Sequence, residues 1–183
     1  MIILDTDHLT VLKYARDARF VKLAGRMADS VDQDFVTTAI TLEEQLRGWL
    51  AEINRSSDPE KQIAAYSELT GLIEFFSLWT ILPFDDAAAS TFRQFRSRKI
   101  RAGSMDLKIA SIAVSLNCIL LTSNTRDFAS IPELRTENWF EYSWEQFLPE
   151  RAPSRQLTVF HTYSSGGNSL QPSHLQISVG DRE

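Results

Sequence analysis

A chain of 183 residues, 43% of them hydrophobic, is long and apolar enough to build one domain with its own core, which excludes a disordered polypeptide. Its formal net charge of -5 and pI near 5.3 argue against a basic protein that coats nucleic acid, yet leave room for an enzyme whose carboxylates hold metal ions. Cys118 is the single cysteine, so no intramolecular disulfide can form and a reducing, cytoplasmic setting is expected. The opening apolar run is too short for a signal peptide and lacks a basic start. The apolar stretch 109–121 is broken by Ser111, Ser115 and Asn117, so no membrane span is expected.

In chain order, Met1-Ile2-Ile3-Leu4 is a short apolar run that stops on Asp5-Thr6-Asp7, and it predicts a buried strand of a parallel sheet. A short helix over 8–14 follows, then a helix over 20–27 with Val21, Leu23, Ala24 and Met27 at helical spacing and Asp17 near its start. Residues 34–38 form a second strand, and 40–53 a helix with Ile40, Leu42, Leu46, Leu50 and Ile53 apolar. Asp58-Pro59-Glu60 opens a helix that runs to Phe75 or Phe76, with Asp as cap and Pro in the first turn. A third strand over 79–83 ends at Pro83, and Asp85 or Asp86 starts a helix through Ala88, Phe92 and Phe95 toward Ile100. Ser104 is expected to cap a buried helix with Met105, Ile109, Ile112, Ala113 and Leu116 as its apolar stripe. The strand 118–122 then runs into the polar segment Thr122-Ser123-Asn124-Thr125-Arg126-Asp127-Phe128, and a fifth strand lies near 136–139.

Alternating strands and helices of this kind build βαβ units. The expected fold is therefore a three-layer α/β/α domain over residues 1–148, with a central, mainly parallel sheet of four or five strands. Residues 149–183 are rich in Ser, Gly and Gln and read as a disordered tail, with 157–160 as its one edge-strand candidate.

In open parallel sheets ligands bind beyond the carboxyl ends of the strands. Asp5 and Asp7 fall there, as does the cluster after Thr122, and Asp106 starts a helix at the same rim. Each acid has a plain structural explanation. Asp5, Thr6 or Asp7 can cap the first helix, Asp106 suits the positive end of a helix dipole, and Asp127 can cap a turn. Glu44 can be a solvated residue on an amphipathic helix. Only one of Glu43 and Glu44 can face the rim, since they lie about 100° apart. Gly48, one turn beyond Glu44, would let another backbone approach closely. Together the acids can converge on one point, where oxygen ligands suit a hard divalent cation. His8, His161 and His174 are too scattered for a zinc site, and no GxSxG, GxxxxGK[ST] or GxGxxG motif is present.

Four segments in order carry a resemblance: Leu4-Asp5-Thr6-Asp7; 40–48 with Glu44 and Gly48; 106–113 opening on Asp106; and 120–128 with Thr122, Asn124 and Asp127. With the run 132–139, the chain resembles the PIN-domain ribonucleases, and among them the VapC toxins of toxin–antitoxin pairs. The resemblance implies Asp5, Glu44 and Asp106 as three catalytic acids and Asp127 as the fourth, at a position often filled where Asn124 stands. It implies Asp5 and Asp106 as ligands of Mg²⁺, with Mn²⁺ as a substitute, and Thr6 and Thr122 as supporting hydroxyls. Asp7 replaces the family's usual Asn and adds a charge beside the site. The resemblance further implies an RNA substrate, a cognate antitoxin and a homodimer. Trp49, Phe75, Phe76 and Trp79 are candidates for such protein contacts, or for core. The positive run Arg93, Arg96, Arg98, Lys99 and Arg101 can assist RNA or simply be a solvated face.

Two rival readings have their own signatures. Ile2-Ile3-Leu4-Asp5-Thr6-Asp7 also resembles the first motif of haloacid-dehalogenase-like phosphatases, with Asp5 as nucleophile and Asp7 as general acid, but no acidic pair follows Thr122. A PIN-like module that binds RNA or protein without cleaving is the other, and bare carboxylates speak against it because they repel phosphate.

Overall fold

The computed structural model describes residues 1–141, 155–166 and 169–181. Its centre is a five-stranded, wholly parallel sheet built from β1 (Ile2–Leu4), β2 (Phe35–Thr38), β3 (Ile81–Leu82), β4 (Ile119–Leu121) and β5 (Arg135–Glu137). The spatial order is β3-β2-β1-β4-β5, so the first strand of the chain is the middle of the sheet. Between the strands lie α1 (Thr6–Tyr14), α2 (Ala18–Asp29), α3 (Ala39–Asn54), α4 (Pro59–Phe76), α5 (Asp86–Ser97), α6 (Ser104–Ser115) and the single turn α7 (Thr125–Phe128).

The side-chain alternation of β1 splits the core into two layers. Ile3 points to one face, where it joins Val36, Leu120 and the buried stripe of α6 with Ala88 and Phe95 of α5. Ile2 and Leu4 point to the other, against Leu9 and Val11 of α1, Leu23 and Met27 of α2, and Leu72 and Phe76 of α4. Both faces of β1 are thus covered, which is why the run is continuously apolar. Phe76 and Trp79, considered for partner contacts, are core residues with 2% and 7% exposure, while Trp49 and Phe75 pack half-buried against the same cluster.

Caps set the helix starts near where the sequence placed them in three cases, and two residues earlier than expected in a fourth. Asp17, Asp58 and Asp85 accept from the first-turn amides of α2, α4 and α5, and Asp5 caps α1, which therefore begins at Thr6. At α6 the expected cap is corrected: Gly103 is the cap residue and Ser104 is already helical. β3 is only two residues long, an edge strand shortened by Pro83. Gly48 is a second correction, because a Cβ there would meet no atom within 4 Å.

β6 (Arg155–Gly166) and β7 (Ser169–Asp181) pair antiparallel as a separate two-stranded sheet, from Arg155 opposite Asp181 to Gly166 opposite Ser169. The edge-strand candidate 157–160 lies inside β6. The expected domain boundary at 148/149 lies outside the described residues.

Candidate active site

The strand order makes β1 and β4 neighbours whose connections leave in opposite directions, which is a topological switch point. The residues at their carboxyl ends are Asp5 and Thr122. Asp5 is 9% exposed and held at both oxygens: the Thr6 amide donates to Oδ1 at 2.8 Å and the Thr122 hydroxyl donates to Oδ2 at 2.9 Å. Burial drives its pKa up from 3.8 to about 6; the charges of Asp7 and Glu44 add to the rise, and the two hydrogen bonds oppose it.

Glu44 projects from α3, whose start is fixed by the Thr38 hydroxyl accepting from the Thr41 amide at 3.1 Å. The Thr6 hydroxyl donates to Glu44 Oε2 at 3.0 Å, so one residue at the start of α1 orients two acids, one with its amide and one with its hydroxyl. Glu43 instead pairs with Arg47 at 2.5 Å, one turn along α3. Burial raises the pKa of Glu44, and the nearby charge of Asp106 raises it further.

Asp106 is the third residue of α6. Its carboxylate reaches back over the helix start, where the Gly103 amide favours its charged form. Oδ2 lies where a Cβ on Gly103 would come within 2.5 Å of it. Burial and then the charge of Asp127 push its pKa up. Asp127 itself is exposed on α7, held by the Asn124 side-chain amide at 2.8 Å, while the Asn124 backbone amide donates to the Thr122 hydroxyl at 3.1 Å. The four acids therefore feel one another in sequence around the rim: Asp5 with Glu44, Glu44 with Asp106, Asp106 with Asp127.

Asp7 plays a different part. Its Oδ1 accepts from the His8 amide at 2.6 Å and from His8 Nδ1 at 2.7 Å, and its Oδ2 accepts from the Ser123 amide at 2.5 Å and from the Ser123 hydroxyl. Burial pushes the Asp7 carboxyl up, but the His8 and Ser123 hydrogen bonds outweigh it and leave the pKa lowered. His8 is fully buried, stacks on Phe140 at 4.0 Å, and accepts from the Trp139 amide at Nε2 over 3.4 Å. That acceptor role leaves Nδ1 carrying the proton it shares with Asp7. Asp7 and His8 thus brace α1, the turn after β4 and the segment after β5. The phosphatase reading needs Asp7 as a free general acid, and these four hydrogen bonds leave no such acid.

Sequence reasoning missed His8, Ser123 and Gly103. The signals available for them were faint: a His directly after an Asp at a strand end, and a Gly three residues before the Asp of a buried helix.

Among the described residues no three His, Cys, Asp or Glu side chains stand grouped as a ready-made ion cage. The donor set still fits one kind of ion. It is all oxygen, burial and a neighbouring acid raise the pKa of Asp5, Glu44 and Asp106, and Mg²⁺ in particular keeps several waters and needs only one or two carboxylates.

A parallel α/β domain with one buried and two half-buried acids at its switch point defines a class of site suited to a divalent ion. The PIN domain family model matches residues 2–134, and the chain belongs to that family. It is 31% identical over 126 residues to ribonuclease VapC2 of Haemophilus influenzae, covering 67% of this chain and 82% of that protein. It is 32% identical over 106 residues to the tRNA(fMet)-specific endonuclease VapC of Shigella flexneri, covering 56% of this chain and 73% of the relative. In fold it is similar to VapBC2 of Rickettsia felis bound to a promoter DNA fragment, with TM-score 0.56 and 24% identity, over 76% of this chain and 99% of that one. PIN-domain nucleases of the VapC type use divalent metal. Among the described residues no helix is long and apolar enough to cross a membrane.

Proposed function

We propose that this protein is a metal-dependent endoribonuclease of the VapC type, the toxic member of a toxin–antitoxin pair acting in the cytoplasm, with Asp5, Glu44, Asp106 and Asp127 as its catalytic acids. The observation that carries the reading is the gathering of Asp5, Glu44 and Asp106 at the carboxyl ends of the central strands, where Thr6 bonds both Asp5 and Glu44 and burial raises the pKa of all three acids. A folded protein keeps several partly buried acids at one rim only where something else compensates them. Its family relatives support RNA as the substrate.

Asp5 and Asp106 would hold Mg²⁺, with Glu44 and Asp127 completing the set directly or through water, and Mn²⁺ could replace it. When bound, the ion activates water and stabilises charge on the phosphate and the leaving oxygen. The chain's own residues do the positioning. Thr6 and Thr122 fix both oxygens of Asp5 while leaving each oxygen a second lone pair for the cleft. Thr6 aims Glu44. The Gly103 amide holds Asp106, and Asn124 holds Asp127. Asp7 stays out of the ligand set and keeps the turn after β4 in place through Ser123.

The solved relatives in complex with antitoxins support a cognate antitoxin as protein partner, and we expect a homodimer. The test is cleavage of a mixed structured RNA pool by the purified protein with Mg²⁺, with Mn²⁺ and with chelator, beside Asp5→Asn. Metal-dependent cleavage that vanishes in the variant is the expected result. Cleavage that survives chelator or Asp5→Asn would refute the assignment.

A further inference from the structure

A rim of four acids repels the phosphate backbone it must cut, so something nearby has to hold the strand. The distribution of uncompensated positive charge shows where. Over most of the described residues the cations are matched: Lys13 with Glu68, Arg19 with Asp17, Arg26 with Glu137, Arg47 with Glu43, Arg55 with Glu52 and Lys61 with Asp58. Arg16 lies over the Tyr14 ring and Lys108 over the Phe84 ring.

Among the described residues, seven exposed cations carry no ion pair: Arg16, over the Tyr14 ring, Arg135, which donates to the Asn117 carbonyl, and then Arg93 and Arg96 on α5, Lys99 and Arg101 in the α5–α6 connection, and Arg126 on α7. The last five, whose side chains have no partner among the described residues, belong to the elements that flank Asp106 and Asp127. Arg101 lies nearest. With Ala102, Gly103 and Asp127 it lines a cleft of about 430 Å³. The same connection is tied to the segment after α7 by the Ser130 hydroxyl donating to the Arg101 carbonyl at 3.5 Å. Arg101 thus shares a wall with one site acid and adjoins the glycine that seats another, yet its own charge is unspent.

We propose that Arg101, seconded by Arg126 and Lys99, is a phosphate-binding subsite that holds the RNA strand next to the scissile bond. The proposal rests on the nuclease reading above. The strand enters over the α5–α6 connection, where guanidinium groups can take phosphate oxygens in pairs. Contacts of this kind carry no base identity, so the subsite sets affinity and salt dependence and leaves sequence preference alone.

The experiment is steady-state cleavage of one RNA by the full chain with Mg²⁺ at several salt concentrations, for wild type, Arg101→Gln, Arg126→Gln and, as control, Arg55→Gln. Arg101→Gln should raise KM by roughly fivefold for every RNA tried, hold kcat at saturating RNA, and flatten the slope of log(kcat/KM) against log salt by about 0.7. Arg126→Gln should act in the same direction more weakly, and Arg55→Gln should match wild type. Wild-type KM and salt slope in Arg101→Gln overturn the proposal, whatever the variant does to antitoxin binding. A drop in kcat at unchanged KM also overturns it, by placing Arg101 in the chemistry. If the wild-type protein cleaves no RNA with any metal, it is the nuclease reading that fails.

Discussion

Gly103→Ala isolates the placement of one carboxylate from the stability of the fold. A Cβ at residue 103 would stand 2.5 Å from Asp106 Oδ2, so the carboxylate must retreat by about 1 Å to reach an ordinary contact of at least 3.4 Å. The obstacle is the end of a side chain and not backbone, so α6 need not move. Gly103 has φ -57 and ψ 150, open to any residue. Lost freedom of the unfolded chain favours Ala by about 0.4–1 kcal/mol, and the poorer capping of Ala opposes it by a similar amount, leaving stability within about 1 kcal/mol of wild type. A misplacement of about 1 Å at a reacting centre costs on the order of 100-fold in rate. The variant should therefore keep its melting temperature, lose about two orders of magnitude in RNA cleavage, and bind Mn²⁺ more weakly by titration calorimetry. Wild-type cleavage and Mn²⁺ affinity in a folded Gly103→Ala would refute the role given to Asp106 and its seat.

The other expectations test the same rim from different sides. Asp5 has its pKa raised from 3.8 to about 6, so the folded state keeps the proton while the unfolded chain loses it, and the penalty on folding builds as pH rises from about 4 to about 6 and is complete above that. That penalty amounts to about 3 kcal/mol. In chelator, Asp5→Asn should accordingly be more stable than wild type at pH 7–8 by up to that amount. The gap should close toward pH 4 and shrink when a divalent ion is added, as read by urea unfolding. Glu44→Gln should remove cleavage, whereas Glu43→Gln, which breaks only the pair with Arg47, should leave the rate within about twofold; equal losses would mean that α3 presents its other acid. Asp7→Asn keeps the shape of the brace but loses its charge-assisted bonds to His8 and Ser123. It should cost about 1–3 kcal/mol in chemical unfolding while Mn²⁺ affinity holds, and a selective loss of Mn²⁺ affinity would make Asp7 a ligand instead.

What could be read without coordinates was what periodicity and capping control. The strand that ends at Leu4, the cap at Asp58-Pro59 and the Ile109, Ile112 and Ala113 stripe of α6 follow from residue types a few positions apart, and local physics decides them, whereas Leu116, expected in that stripe, falls at the helix C-cap and is 44% exposed. The choice of Glu44 over Glu43 rested on family pattern, and the physical reason emerges only when Thr6, 38 residues away, donates to it. His8 looked like a stray histidine because its partners, Trp139 and Phe140, are more than 130 residues distant. The cap at α6 went to Gly103 instead of Ser104 because Asp106 folds back over the helix start, a contact that propensity does not encode. Gly48 shows the opposite error, a glycine credited with a close approach that no neighbour makes.

The order β3-β2-β1-β4-β5 also has a consequence in time. The strand made first is the one that needs neighbours on both sides, and its second neighbour arrives 117 residues later, when Thr122 reaches Asp5. Contacts this distant close late and slowly. A chain halted anywhere before β4 therefore carries half a sheet and an unfinished rim. The ribosome that makes this nuclease is shielded from it for most of the time that making it takes.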